Sequence, residues 1–388
     1  MKLASVLAAV FMAPLLFTGC ARLVHPREVE QLQLIQTLGY DSRKGEITLS
    51  VSSGSGPAGE SASLLAATGR SVTDAIRHLQ AWSAREELFF AHVRFAAVGE
   101  EAAREGIEPL LDYLERSTQT PLDLPLFVVR GSTARSLVTG SADPEYEITA
   151  LLSSLQRDAE QMGTVHCFSV LEVAQRLARS GTALCAAVKT APVGPNVASA
   201  GEGALAVLQA GYAVLKDGAL VGFLGPDAAL GADLVLELAG QACYVLPWGE
   251  TGRVTVELRR EKAKLTPEWD ADGTLTAHIE VECRAGIVEA DRAGMLDEAA
   301  LGALSDAFAA ALKRQITAAL EASRALDTDF LELYRRLGRA SPRDFPGEEP
   351  PEFLSRLSWQ VDVRAAIERS YDIDESADTG GAEARHGG

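Results

Sequence analysis

Basic residues are scarce in this sequence, which has 36 lysines and arginines against 54 aspartates and glutamates, giving a net charge of -18 at pH 7. Nucleic-acid binding is disfavoured, because it needs clustered lysine and arginine side chains to neutralise phosphates. Binding of anionic lipid headgroups through a basic surface is disfavoured for the same reason. An acidic surface mainly keeps a protein soluble, so the charge alone indicates no partner.

Catalytic and metal-binding motifs are also lacking. The sequence contains no GxSxG, no HExxH and no CxxC, and its six histidines are scattered. A serine nucleophile with its base, a zinc site and a redox cysteine pair are therefore not indicated. We expect a protein that is not an enzyme and that needs no metal or cofactor.

Cysteine is rare as well. Beyond Cys20, the sequence has only Cys167, Cys185, Cys243 and Cys283, at wide spacings. Disulfides are permitted outside the cytoplasm, so the sequence leaves their pairing open. Cys185 and Cys283 stand in apolar or alternating stretches, which favours buried small side chains over a redox role.

Residues 201–206 (GEGALA) imitate GxGxxA, the glycine pattern of dinucleotide-binding turns. That pattern requires a strand directly before it, so that the turn leads into a helix N-terminus. Residues 191–200 contain two prolines and no strand pattern. A nucleotide site is therefore not predicted here.

Long apolar runs are lacking except near the N-terminus, where residues 3–17 are almost wholly apolar after Lys2. A run of about 15 residues is short for a membrane span and typical of a signal-peptide core. It ends in residues 15–20 (LLFTGC), which resemble a bacterial lipobox, with Phe17 in place of the usual Leu, Val or Ile. We expect cleavage after residue 19 and a diacylglycerol on Cys20 that attaches the protein to a membrane. The alternative is a plain secretory signal followed by a chance cysteine.

Hydrophobic periodicity predicts alternating strands and helices in the first half of the chain. Residues 89–98 (FFAHVRFAAV) are predicted to form one strand, in which we expect His92 to be buried and hydrogen-bonded, not catalytic. Residues 101–116 are predicted to form one helix, because leucines recur there at helical spacing. Asp217 and Gly218 stand between two apolar runs and predict a β-hairpin.

The last third of the chain has a different pattern. Alternation over residues 253–258 and 275–283 predicts antiparallel strands. A long amphipathic helix over 298–325 is predicted to pack on that sheet. A second helix at 329–336 and a last strand at 359–367 are predicted to follow.

The predicted fold class is α+β: a mixed, multi-domain chain whose C-terminal domain is an antiparallel sheet packed with a long helix. Residues 191–203 are rich in proline, glycine and small residues, and they form the best candidate boundary. The predicted divisions are a lipoprotein signal peptide over 1–19, an N-terminal α/β domain over 20–190, a small middle domain with the hairpin over 191–250, a C-terminal domain over 251–373 and a disordered tail over 374–388.

Four motifs follow the lipobox in one order: residues 27–30 (REVE), 38–41 (LGYD), 69–106 and 211–222 (GYAVLKDGALVG). Together they resemble the Ger(x)C family of spore germination lipoproteins. That family has a strand ending in Gly-x-Asp, a Phe-x-x-His strand, a Gly-Glu-x-x-Ala-x-x-Gly turn and a Lys-Asp hairpin. Its usual Trp-Asp after the cysteine is replaced here by Ala-Arg. The positions that match the family's motifs are Glu28, Gly39, Asp41, Phe89, His92, Gly99, Glu100, Gly106, Lys216, Asp217 and Gly218.

The resemblance implies a C subunit of a nutrient germinant receptor, held by its lipid on the outer face of the inner membrane of spores. It implies two polytopic partners, the A-type and B-type subunits, and a three-domain mixed α/β fold with no recognised enzymatic site. Such complexes sense nutrients such as amino acids or sugars and trigger ion release.

A generic solute-binding or envelope-scaffold lipoprotein is the alternative function. A solute-binding protein would normally show two α/β lobes of similar size, each with a parallel sheet. The antiparallel alternation around one long helix in the last third disfavours that architecture.

Overall fold

The computed structural model describes residues 32–53, 63–83, 86–139, 147–163, 165–192, 205–249, 252–290, 297–347, 350 and 352–368. Within these ranges the chain forms three sheets and ten α-helices. The predicted signal peptide, Cys20, Glu28 and the predicted C-terminal tail lie outside the described residues.

The strands are β1 (Leu32–Leu34), β2 (Thr37–Arg43), β3 (Glu46–Ser52), β4 (Leu64–Gly69), β5 (Glu87–Phe89), β6 (Phe95–Gly99), β7 (Leu126–Val129), β8 (Thr182–Pro192), β9 (Leu205–Lys216), β10 (Ala219–Leu224), β11 (Cys243–Trp248), β12 (Gly252–Trp269), β13 (Leu275–Ala290) and β14 (Ser358–Glu368). The helices are α1 (Val72–Trp82), α2 (Glu100–Glu105), α3 (Glu108–Arg116), α4 (Ala134–Thr139), α5 (Ile148–Met162), α6 (Val170–Ser180), α7 (Pro226–Leu236), α8 (Glu298–Ala325), α9 (Leu333–Ala340) and α10 (Phe353–Arg356).

An eight-stranded mixed sheet organises the first part of the chain, in the order β10-β9-β8-β7-β6-β2-β3-β4. Its four central strands, β8, β7, β6 and β2, are parallel, and an antiparallel pair flanks them on each side. β6 and β7 are buried along their whole length. Strands buried on both faces require continuous apolar runs, which these segments have. The predicted mixed α and β architecture is confirmed.

Two predicted elements are each divided in the structure. The predicted strand at 89–98 is β5, then a 3₁₀ turn over Phe90–His92, then β6. The predicted helix at 101–116 is α2 followed by α3, because Gly106 between them has φ of +123°, which is incompatible with a continuous helix. Apolar spacing alone reveals neither break.

The predicted hairpin is formed by β9 and β10. Both turn residues have positive φ, 48° at Asp217 and 76° at Gly218, as a type I′ turn requires. β9 also pairs with β8, from Thr182 opposite Lys216 to Pro192 opposite Leu205. The hairpin therefore belongs to the eight-stranded sheet, and the predicted domain boundaries remain a prediction.

The last part of the chain forms a four-stranded sheet in the order β11-β12-β13-β14. β12 and β13 form a long antiparallel hairpin, as predicted, and β11 is antiparallel to β12. β14 pairs with β13 in parallel, so the sheet is mixed. The chain passes through α8, α9 and α10 between these two strands, which allows a parallel return.

The long helix α8 has the predicted bounds and packs on β14, β11 and α7. Its N-terminus is capped by Asp297, whose carboxylate accepts a hydrogen bond from the Ala300 backbone N–H at 2.8 Å. The Phe308 ring meets Tyr244 of β11 edge to face, with centroids 4.9 Å apart. The buried residues of α8 recur every three or four positions: Leu304, Phe308, Leu312, Ile316, Ala319, Leu320 and Ser323.

The second predicted helix in this region begins later than the sequence suggests. It was predicted at 329–336, whereas α9 spans Leu333–Ala340. The carboxylate of Asp329 accepts hydrogen bonds from the backbone N–H groups of Leu333 and Tyr334, at 2.7 and 2.9 Å. Asp329 therefore precedes the helix and caps its first turn.

Replacing Gly218 by valine should lower the free energy of unfolding by about 1 kcal/mol or more, because a β-branched residue is strained at positive φ. Gly218→Asn is the matched control. Asparagine tolerates this conformation, and its Cβ would meet the same Glu108 side chain that lies 2.2 Å from an ideal Cβ at Gly218. Urea unfolding of the two purified variants measures the difference, and a valine variant as stable as the wild type would contradict the turn geometry.

Candidate functional site

Asp41 lies near the end of β2 and holds the start of α4. Its carboxylate accepts hydrogen bonds from the backbone N–H groups of Ala134 and Arg135, each at 2.8 Å. Burial raises the pKa of Asp41 above its usual value, although both hydrogen bonds act in the opposite direction. The carboxylate therefore fixes α4 across the C-terminal ends of the parallel strands.

Two glycines of the predicted motifs leave room for this arrangement. A Cβ at Gly99 would lie 2.0 Å from Oδ1 of Asp41, and one at Gly39 would lie 2.3 Å from Oγ of Ser50 and 3.0 Å from Val138. Any larger residue at these positions would displace Asp41 or α4. The structure thus explains why glycine is needed at both positions.

Glu100 joins the same region from the first residue of α2. Its carboxylate accepts a hydrogen bond from the backbone N–H of Gly131 at 2.7 Å, and Arg104 pairs with it at 2.8 Å. Burial alone would raise the pKa of Glu100, but the hydrogen bond and the arginine together lower it below its usual value. Gly39, Asp41, Gly99 and Glu100 therefore form one group, called the strand-end cluster below.

At the other end of α2, Gly106 lies next to the β9–β10 hairpin turn. The backbone N–H of Ile107, directly after Gly106, donates to the Gly218 carbonyl at 3.0 Å. Gly106, Lys216, Asp217 and Gly218 form the second group, the hairpin cluster.

The hairpin cluster also contacts two other parts of the chain. The backbone N–H of Asp217 donates to the Gly181 carbonyl, between α6 and β8, at 2.7 Å. Nζ of Lys216 pairs with the Asp327 carboxylate, in the link from α8 to α9, at 2.9 Å. One turn therefore connects three separate segments.

Phe89 and His92 lie apart from both clusters. Phe89 ends β5, which pairs in parallel with β1, and its ring centroid is 5.8 Å from that of His92. The expectation that His92 is buried is wrong: its side chain is exposed. The 3₁₀ turn directs Phe90 and Val93 inward, so the alternation expected of a strand does not apply.

The buried cysteines agree with the sequence analysis. Cys185 and Cys283 are buried free thiols, and burial raises the pKa of each to about 12. Cys243 is an exposed free thiol, and Cys167 is half-buried with its Sγ 3.9 Å from the Val165 carbonyl. A buried thiol with a raised pKa is unreactive at neutral pH.

The described part of the chain has neither a metal-ligating cluster nor a helix that could span a membrane. No group of three or more His, Cys, Asp or Glu side chains there is arranged to hold a metal ion. None of the helices in the same ranges has both the length and the hydropathy needed to cross a bilayer.

A group of arginines surrounds Glu332, and the sequence patterns did not predict it. Arg176 of α6 pairs with Glu332 at 3.0 Å, and Arg335 of α9 also contacts it. Arg335 and Arg339 are one helical turn apart in a chain with few basic residues, which was the available signal. Their approach to α6 could not be derived from spacing.

Replacing Asp41 by alanine should lower the free energy of unfolding by about 1 to 3 kcal/mol, because two partly buried N–H groups lose their acceptor. Asp112→Ala is the control, since Asp112 is exposed and its partner among the described residues is Arg116, one turn away along α3. That change should stay within about 0.5 kcal/mol. Thermal unfolding of the full chain compares the two, and a loss at Asp41 no larger than at Asp112 would contradict the proposed anchoring of α4.

Comparison with known proteins places both halves of the chain in one family. Residues 25–190 match the family model described as "Spore germination protein N-terminal domain". Residues 210–371 match the model described as "Spore germination B3/ GerAC like, C-terminal". A search of curated proteins finds no match.

A solved structure is similar to this fold. It is described as "Crystal Structure of the GerBC protein", with a TM-score of 0.52 and 16% sequence identity. The likeness covers 85% of this chain and 96% of that one. With both family models in their expected order and the same overall fold, the chain belongs to the Ger(x)C family of spore germination proteins.

Proposed function

We propose that this chain is the lipid-anchored C subunit of a nutrient germinant receptor, and that it binds the polytopic A-type and B-type subunits on the outer face of the inner membrane. The observation that carries the proposal is the pair of family models, which together account for most of residues 25–371. The lipobox adds the means of attachment. In this role the protein assembles or holds its partners and catalyses no reaction.

The arrangement of the two clusters supports an assembly role. The strand-end cluster and the hairpin cluster lie at opposite ends of α2, and their polar groups bind backbone or side-chain partners within the chain. They fix the sheet, α4 and the link from α8 to α9 relative to one another. A subunit that positions membrane partners requires this kind of internal rigidity, and its partner contacts would use other surfaces.

The predicted anchor limits the distance of the protein from the membrane. Residues 21–31 lie between Cys20 and β1, and a fully extended segment of that length spans at most about 40 Å. β1 pairs with β5, and Gln33 of β1 accepts a hydrogen bond from Ser83 at 3.3 Å, next to Trp82. Trp82 is 73% exposed. The tether would join the described structure at the edge formed by β1 and the end of α1, and we propose that this edge faces the bilayer.

Changing Cys20 to alanine should abolish lipidation, release the protein from the membrane and reduce germination. Cys243→Ala is the matched control, because it removes an exposed thiol without touching the lipobox. Mass spectrometry of the N-terminal peptide and fractionation of spore membranes provide the readouts. Full germination and wild-type membrane association of the Cys20→Ala protein would show that the anchor is not needed.

Affinity purification of the tagged protein from detergent-solubilised spore membranes tests the partners. Two polytopic membrane proteins should be recovered in amounts comparable to the tagged chain, as mass spectrometry can quantify. An untagged strain controls for background. Recovery of the protein alone, or with a transporter, would favour the generic solute-binding or scaffold lipoprotein instead.

A further inference from the structure

A cavity of about 640 Å³ lies between the C-terminal end of α6, the β9–β10 turn and α9. Three arginines line it: Arg179 from α6, and Arg335 and Arg339 from α9. The chain as a whole carries a net charge of -18, so three guanidinium groups around one cavity are an exception to its charge distribution. The volume is within the range of small-molecule sites.

Three acidic residues also line the cavity, and the carboxylates of two of them already form ion pairs or accept hydrogen bonds within the protein. Glu332 is buried and binds Arg176 at 3.0 Å and also contacts Arg335. Asp329 is buried and accepts the two backbone hydrogen bonds at the start of α9, and burial raises its pKa to about 6. Asp217, in the hairpin turn, is the third.

The arginines, in contrast, have donors to spare, because each guanidinium carries five N–H groups. Nε of Arg335 is buried and has no hydrogen-bond partner among the described residues. Among the described residues, the side chain of Arg339 makes neither a hydrogen bond nor an ion pair. The Arg179 side chain is 3.9 Å from its nearest carboxylate, that of Glu332.

Arg335 stands among several like charges. Burial lowers the pKa of Arg335, and the charges of four neighbouring arginines lower it further. Like charges held together in a partly buried site cost free energy unless a counter-charge is bound. An anion would supply that charge and accept the unused hydrogen bonds.

We propose that this cavity binds a small soluble molecule through its phosphate or carboxylate group, held by Arg179, Arg335 and Arg339. The planar guanidinium fork matches both oxyanions and can bind either through two parallel hydrogen bonds. The cavity exceeds the size of a single ion, so the molecule has room for more than its anionic group. Because α6 packs on the eight-stranded sheet and α9 on β12, the ligand joins the two main sheets of the protein. This proposal does not depend on the receptor role.

Thermal unfolding and calorimetric titration of the full chain in detergent, with potassium phosphate or potassium citrate, test the site. Potassium chloride at matched ionic strength controls for screening. Both oxyanions should raise the melting temperature saturably in the wild type. Arg339→Gln should weaken phosphate binding about tenfold or more without loss of stability in chloride, since the Arg339 side chain has no hydrogen bond or ion pair to another described residue that the change would remove.

Arg343→Gln is the matched control, because it removes a nearby exposed arginine that does not line the cavity. It should bind phosphate as the wild type does. Equal oxyanion responses in all three proteins, or a response no larger than that to chloride, would overturn the proposal. A response to dioctanoyl-phosphatidylglycerol without one to phosphate or citrate would assign the site to a lipid headgroup and would also overturn it.

Discussion

The pairing of β8 on both of its edges holds the structure together. On one side β8 is parallel to β7, with Ala186 opposite Phe127, and on the other it is antiparallel to β9, with Cys185 opposite Ala213. Its first seven residues are buried, mostly small and apolar, and therefore fit between layers on both faces. This strand is the one that joins the β9–β10 hairpin, and through Lys216 the link from α8 to α9, to the parallel strands of the sheet.

Much of the fold could be predicted from the sequence where one physical pattern dominates a segment. The bounds of α8 were predicted because its apolar residues keep a period of 3.6 over 28 residues. The β9–β10 turn was predicted because Asp217-Gly218 suits two successive positive φ angles. The break at Gly106 could not be predicted, since apolar residues continue at helical spacing across it, from Ala103 to Ile107 and Leu111, and the backbone conformation leaves no trace in that pattern.

The candidate site was predictable in its residues but not in its contacts. The motif positions were identified in order along the chain, yet the bond from Ala134 to Asp41 joins residues 93 positions apart. Such a contact depends on the order of strands in the sheet, which periodicity does not encode. The exposed position of His92 was missed because a 3₁₀ turn interrupts a run that alternates like a strand. The arginine cavity was missed because α6 and α9 are distant in sequence.

The parallel pairing of β14 with β13 has a consequence for the order in which the protein is made. The eight-stranded sheet is complete once residue 224 has been synthesised, whereas the four-stranded sheet lacks one edge strand until residue 368. Until then, β13 is paired only with β12, and its other edge is open over the 11 residues from Thr276 to Gly286 that β14 later covers. Exposed edges of this kind invite pairing with other chains. The nascent protein is thus most prone to aggregate after β13 has been synthesised and before β14 is complete. During this interval α8 lacks the edge strand, β14, on which it packs.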